Sequence, residues 1–214
     1  MSTAGAKTTT DVSRDVSFPD LPTAELDSGG WKRVEESVET VYKIPTLRVV
    51  AATVRYEDDR TRSALCRATD GIVDQPIRFF AATTLSFHPS LPFGVSKAMV
   101  APLVKREARE TFTDRLREAE ITDIDQTESE QLTFADGKTL TLTGYHGHIA
   151  LTPDVSVPLA CWVAVWSVSS GFRIVSGGYP RESLASVFDI EDEQLERSGQ
   201  AYYLEFLSLL RGVA

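Results

Sequence analysis

The sequence contains few lysines, histidines and cysteines. Only six of its 22 basic residues are lysine, and its 31 acidic residues leave a formal net charge of −9. This balance argues against a nucleic-acid-binding protein, because such proteins neutralise phosphates with clustered Lys and Arg. The acidic excess with scarce lysine is typical of halophilic proteins, whose carboxylates keep the surface hydrated. A GC-rich genome that encodes Arg accounts for the same composition.

Long apolar runs are also missing. No window approaches the roughly 18 apolar residues that cross a membrane, and residues 1–15 contain no apolar signal segment. We therefore expect a cytoplasmic protein with no membrane partner. Cys161 lies in an apolar run and is expected to be a small buried hydrophobe. A disulfide between Cys66 and Cys161 is disfavoured in a reducing compartment.

Fingerprints of known catalytic and cofactor sites are absent. The chain has no Gly-x-Ser-x-Gly, Cys-x-x-Cys, His-Glu-x-x-His or dinucleotide-binding pattern, so no cofactor is expected. The first functional hypothesis is a non-enzymatic binding or assembly protein with a protein or small-molecule partner. The alternatives are a metal-dependent enzyme and a structural homodimer that uses an exposed sheet face or edge.

The most apolar stretch, residues 160–166, predicts the centre of a sheet. Successive side chains of a strand point to opposite faces, so both faces of this strand are apolar and both must be covered. One face carries Trp162, Ala164 and Trp166, and the other carries Cys161, Val163 and Val165.

Patterns elsewhere predict the remaining elements. Strands are expected over 31–42, 46–56, 77–87 and 172–176, with a hairpin over 131–151 whose turn is Ala135-Asp136-Gly137. The apolar parity changes after Gly144, which predicts a bulge there. Residues 58–70 fit a helix or a ribbon. A helix should begin near 101, or at a Ser96 cap if Pro102 kinks it. A short helix is expected around 184–188 and a long one over 192–210.

This order predicts an α+β fold in which a mainly antiparallel sheet is sandwiched between helices (α/β/α). Residues 1–29 are rich in Ser, Thr, Asp and Pro and are expected to form a flexible tail. Residues 30–214 are expected to form a single α+β domain.

The element order, a Gly29-Gly30-Trp31 entry and the long closing helix resemble the PsbP family of photosystem extrinsic subunits and the related fold of the nuclear-import Ran-release factor. The resemblance spans roughly residues 25 to 213 and rests on element order. It implies a binding or assembly role and carries over no site residue. The two-proline loop at 88–94 departs from the family pattern, and so do residues 58–70 if this stretch forms an extra helix. The composition also resembles that of halophilic archaeal proteins.

Three sets of residues are candidates for chemistry. His146 and His148 share one strand face and could hold Zn²⁺ with His88 or a carboxylate as third ligand; solvated histidines are the alternative, and no stoichiometric metal is expected. Tyr145, Trp162 and Trp166 could line a small-molecule pocket or simply fill the core. The Gly177-Gly178 pair with Arg181 could bind an anion ahead of a helix, or form an ordinary turn.

Overall fold

All the strands belong to one antiparallel sheet. The computed structural model describes residues 16–127, 129–134, 137 and 139–213. The strands are β1 (Trp31–Ile44), β2 (Leu47–Asp58), β3 (Phe79–His88), β4 (Ile121–Gln126), β5 (Glu130–Thr133), β6 (Thr139–Ala150), β7 (Ser156–Val168) and β8 (Gly171–Pro180). Their order is β1-β2-β3-β8-β7-β6-β4, and β5 pairs with β6.

Helices cover both faces of this sheet. They are α1 (Thr23–Gly29), α2 (Asp59–Ala68), α3 (Lys97–Glu118), α4 (Leu184–Phe188) and α5 (Gly199–Val213). One core cluster joins α1 and α5 to a first face, here called the α5 face. Two clusters join α2, α3 and α4 to the opposite α3 face. The predicted α/β/α sandwich is confirmed. None of these helices is long and apolar enough to cross a membrane.

The apolar stretch at 160–166 is the middle of β7, as predicted. β6 and β8 pair with β7 on its two sides. Trp162 packs in the cluster under α5, whereas Cys161 and Val163 pack in the cluster under α3. Because both faces are buried, every residue from Leu159 to Val165 is nearly inaccessible to solvent.

The N-terminal boundary differs from the predicted one. Residues 16–29, which were expected to be part of a flexible tail, include α1, and Leu26 of this helix is completely buried. Phe18 and Leu21 also pack against the α5-face core. The prediction was wrong for these residues because their apolar side chains are too widely spaced to show a period. Residues 1–15 of the predicted tail lie outside the described residues.

Two helix starts were decided by capping side chains. Asp58 accepts a hydrogen bond from the Thr61 amide at 2.9 Å, so the stretch that fitted a helix or a ribbon begins as helix α2. Ser96 accepts from the Met99 amide at 3.4 Å and starts α3 at Lys97. The start near 101 was therefore wrong, and the alternative start at a Ser96 cap, with Pro102 inside the helix, is confirmed.

The last helix begins seven residues later than predicted, at Gly199 in place of Asp192. The prediction placed Leu195 on the same apolar stripe as Tyr202. In the structure, Leu195 is buried on the α3 face, whereas Tyr202 is buried on the α5 face. The segment before α5 therefore passes round the end of the sheet, and a helix starting at Asp192 could not reach both faces.

The bulge predicted at Gly144 is absent from the β6–β7 pairing. The register is continuous, and Gly144 lies directly opposite Trp162. A Cβ at Gly144 would lie 2.7 Å from the Trp162 ring, so the glycine makes room for the indole. The parity changes because Leu140 and Leu142 are buried on the α5 face, while Tyr145 and Ile149 further along the same strand are buried on the α3 face.

Candidate functional site

The predicted metal ligands are not brought together. His146 and His148 lie on the α5 face of β6, where His146 pairs with Ala160 and His148 with Pro158. His88 ends β3 at the other end of the sheet, about ten residues away along the strand direction, which is roughly 30 Å. His88 is therefore no third ligand. Among the described residues, no group of three His, Cys, Asp or Glu side chains is placed to hold a metal ion.

The two histidines lie in a polar margin of the sheet. Nδ1 of His148 is 4.0 Å from a carboxylate oxygen of Asp123 and makes no hydrogen bond within the described residues. Partial burial lowers the pKa of His146, and the positive charge of nearby Arg181 lowers it further. His146 is therefore neutral at neutral pH.

The aromatic residues predicted to line a pocket lie on opposite faces of the sheet. Tyr145 is buried on the α3 face, where its ring stacks edge-on against Phe112 with centroids 5.8 Å apart. Trp162 and Trp166 pack on the α5 face. The Trp162 indole donates a hydrogen bond to the Tyr179 hydroxyl at 2.8 Å. These three side chains therefore line no common pocket and fill the core.

The glycine pair at 177–178 is part of β8, not a loop before a helix. A Cβ at Gly177 would lie 2.7 Å from the Phe206 ring, and one at Gly178 would lie 2.5 Å from the Phe79 ring. Both glycines therefore give space to aromatic rings. Arg181 follows the strand with an exposed side chain, and its amide donates to the Pro158 carbonyl at 2.9 Å. This arrangement leaves no glycine-rich loop around an anion.

A buried ionic cluster was missed by the sequence analysis. Arg78, just before β3, is only 2% exposed and forms an ion pair with Asp58, which is equally buried. The same guanidinium donates to Glu205 of α5 at 3.0 Å, and Arg197 binds that carboxylate at 2.7 Å. The Arg78 guanidinium also lies 4.2 Å from the centre of the Tyr202 ring. The signal in the sequence was a single charge between Ile77 and Phe79.

The neighbours of Glu205 in this cluster favour its ionised form. Burial alone would raise the pKa of Glu205, but Arg78, the Trp31 indole N–H and Arg197 together lower it below its usual value. The Trp31 Nε1 donates to Glu205 at 2.8 Å. The cluster connects α5 with the ends of three strands and is closed to solvent at Arg78 and Asp58, so it is a buried structural contact and not an open site.

Six exposed apolar side chains belong to the segments at the opposite end of the sheet. We call this surface the apolar corner; it consists of Tyr42, Ile44, Phe93, Val95, Met99 and Leu103. Phe93 is fully exposed to solvent. Tyr42 pairs with Val49 and Ile44 with Leu47, so these two side chains extend the face that α3 covers outward to the edge strand.

The helical side of the apolar corner follows from helix geometry. Lys105 of α3 faces β6, where it lines a cavity beside Thr141 and Thr143. At about 100° per residue, Leu103 lies nearly opposite Lys105 around the helix, and Met99 lies one turn before Leu103. Met99 and Leu103 therefore face the β1 side, and the apolar corner lies between the N-terminal half of α3 and the edge strand.

Comparison with known proteins gives remote structural similarities. The solved structure of the Ran-binding protein Mog1p from Saccharomyces cerevisiae matches 83% of this chain and 94% of its own, with 11% sequence identity and a TM-score of 0.35. The di-domain ARO/CYC protein StfQ from the steffimycin biosynthetic pathway matches 84% of this chain and 87% of its own, with 12% identity and a TM-score of 0.17.

The sequence comparisons identify the family. No curated protein matches this chain. A family model described as "Domain of unknown function (DUF6517)" matches residues 18–214. This match begins at Phe18, which packs on the α5-face core, and includes every strand of the sheet and all the helices described above. The chain therefore belongs to the family described as Domain of unknown function (DUF6517).

Proposed function

We propose that the protein is a non-enzymatic binding or assembly protein that takes up a partner protein through the apolar corner. The observation that supports this is the exposure of six apolar side chains on segments at one end of the sheet, with Phe93 completely outside the core. Soluble proteins rarely leave a contiguous apolar surface uncovered, and those that do often use it for association.

The shape of the apolar corner favours side-chain contacts over strand addition. β1 is the edge strand of the sheet, but its register with β2 shifts between Arg33 and Glu35 and again between Thr40 and Tyr42. Such irregularities interrupt the row of backbone groups that an added strand would need. A partner would therefore contact the apolar side chains of the edge strand and of α3, and would not extend the sheet.

Site-specific photo-crosslinking in extracts of the host cell tests this proposal. A photoreactive benzoyl-phenylalanine at Met99 should give a discrete adduct, and the same residue at Arg115, an exposed position on the same helix, should not. Phe93→Ser should abolish the adduct without loss of stability, because the Phe93 side chain makes no buried contact. An adduct at twice the monomer mass would identify a second copy as the partner.

Two outcomes would contradict the proposal. The first is an equal adduct pattern at Met99 and Arg115, because the apolar corner would then have no special role. The second is an adduct at Met99 that Phe93→Ser and Leu103→Ser leave unchanged. The melting temperature of each variant serves as the control for folding.

A further inference from the structure

A small cavity lies on the α3 face, between α3 and the strands β6 and β7. Its volume is about 80 Å³, and its lining consists of Lys105, Arg109, Thr141, Thr143, Val163 and Val165. Lys105 and Arg109 are one helical turn apart, so their side chains project side by side from α3. The two threonines are alternate residues of β6, so both face the helix. The valines of β7 lie beside them and are buried.

The charge of this cavity is opposite to that of the protein. The chain has a net charge of −9, yet the lining carries two cations and no carboxylate. Elsewhere on α3, Arg106 pairs with Glu107 and Arg117 with Asp114. Lys105 and Arg109 form no ion pair within the part of the chain that the structure describes. The Nε of Arg109 donates to the Lys105 carbonyl at 3.1 Å, which fixes the guanidinium near the cavity and leaves its other N–H groups available.

The strand side of the cavity adds hydroxyl donors. The Gln131 side-chain amide donates to the Thr141 hydroxyl oxygen at 3.0 Å, and the Thr141 hydroxyl donates back to Oε1 of Gln131 at 3.4 Å. The second bond is long, so an anion in the cavity would compete with Gln131 for the Thr141 hydroxyl hydrogen. The next residue on this face, Thr143, is almost completely buried by the helix. Tyr145 is the next residue of β6 on this face. Burial raises the pKa of its phenol, and the nearby charge of Arg109 opposes the rise only in part, so the phenol keeps its proton.

We propose that this cavity binds a tetrahedral oxyanion, either inorganic phosphate or the phosphate group of a small molecule. Two cations and two hydroxyls surround one volume, which matches the donors that a phosphate with several acceptor oxygens requires. A volume of about 80 Å³ accommodates one such group. Because Lys105 is exposed, the remainder of a phosphate monoester would extend past it into solvent. The cavity lies on the side of α3 away from the apolar corner, so this site is independent of the proposed partner surface.

Titration with phosphate at constant ionic strength tests the site. Inorganic phosphate, with chloride replaced to keep ionic strength fixed, should raise the melting temperature and broaden the ³¹P resonance of phosphate in proportion to protein concentration. Phenyl phosphate in a parallel titration distinguishes the two sources: tighter binding than inorganic phosphate indicates a small-molecule monoester, and weaker binding indicates the free ion.

Charge-removing variants localise the effect. Arg109→Gln should weaken phosphate binding about tenfold or more, because a hydrogen bond between charged groups is lost. Lys105→Gln tests the same anion contact at an exposed position where the fold is not at risk. Thr143→Val keeps the side-chain shape and should weaken binding severalfold. The matched control is Arg115→Gln, which removes one charge from an exposed site on the same helix and should change the affinity less than twofold.

The proposal is overturned if phosphate causes no change beyond that of matched chloride. It is also overturned if Arg115→Gln weakens binding as much as Lys105→Gln, because the response would then reflect overall charge. Melting temperatures measured without phosphate show whether each variant is folded, and Lys105→Gln decides the question if Arg109→Gln is unstable.

Discussion

Among single substitutions in this protein, we expect one at the buried pair of Arg78 and Asp58 to lower the unfolding free energy the most. Replacing Arg78 with Met keeps a long side chain between Trp31 and Tyr202 but removes the charge. Asp58 would then be left buried without its cation. Removing one partner of a buried ion pair costs about 3–5 kcal/mol of unfolding free energy, because the remaining charge is uncompensated.

This cost should be plain in the melting temperature. For a chain of 214 residues, 1 kcal/mol corresponds to a shift of about 2–4 °C, so Arg78→Met should melt about 6–20 °C below the wild type. Urea unfolding followed by the fluorescence of the three tryptophans measures the same loss as a lower midpoint with an unchanged slope. Glu205 keeps Arg197 and the Trp31 indole as partners, so the loss should come mainly from Asp58.

A double variant separates the lost charge from lost packing. Asp58→Asn removes the carboxylate, and asparagine can still cap α2 by accepting from the Thr61 amide. The variant with both Asp58→Asn and Arg78→Met should therefore be more stable than Arg78→Met alone. Arg33→Met is the control, because Arg33 and Glu36 form a pair exposed at 58% and 44%, which contributes at most about 1 kcal/mol. If Arg78→Met costs no more than Arg33→Met, the reasoning is refuted.

Two further predictions concern charge and solvent conditions. Because burial and nearby Arg181 lower the pKa of His146, the unfolded chain takes up a proton at this residue more readily than the folded chain. Stability should therefore fall as the pH drops below the ordinary histidine pKa of about 6.5, and His146→Gln should reduce that fall; an NMR titration midpoint at or above the ordinary value would contradict this. The net charge of −9 predicts that monovalent salt from tens of millimolar to molar raises the melting temperature, and a flat or falling response would leave genome composition as the explanation.

The overall architecture could be predicted from one stretch in which every residue is apolar. Residues 160–166 form a stretch of β7 that is apolar on both faces. Both faces must then be covered, which predicted helices on both sides of the sheet. The helix boundaries that were predicted wrongly depend on contacts between distant parts of the chain. Leu195 fitted the stripe of the last helix by spacing, and only the path of the chain round the sheet places it on the other face.

The candidate site was less predictable because it depends on distant pairs. His146 and His148 do share a strand face, as their spacing required, but the sequence contains no signal that separates His88 from them by the length of the sheet. The partners of Arg78 lie 20 and 127 residues away along the chain. The cations of the cavity likewise meet their threonines only because α3 crosses the outer strands.

The strand order divides the sheet into two groups of strands, one from the first part of the chain and one from the second. Strands β1, β2 and β3 form one group of neighbours, with α2 between β2 and β3, and β6, β7 and β8 form a second group as a meander. The β3–β8 pairing is the seam that joins the two groups. Contacts within each group are closer in sequence, whereas the seam closes a loop of more than eighty residues. We therefore expect its closure to be the slow, entropically demanding step of folding. Until then β3 presents Phe79 to Phe87, an apolar and β-rich edge, to other chains. Aggregation during refolding is therefore expected to begin at this seam, a strand that the finished protein hides in the middle of its sheet.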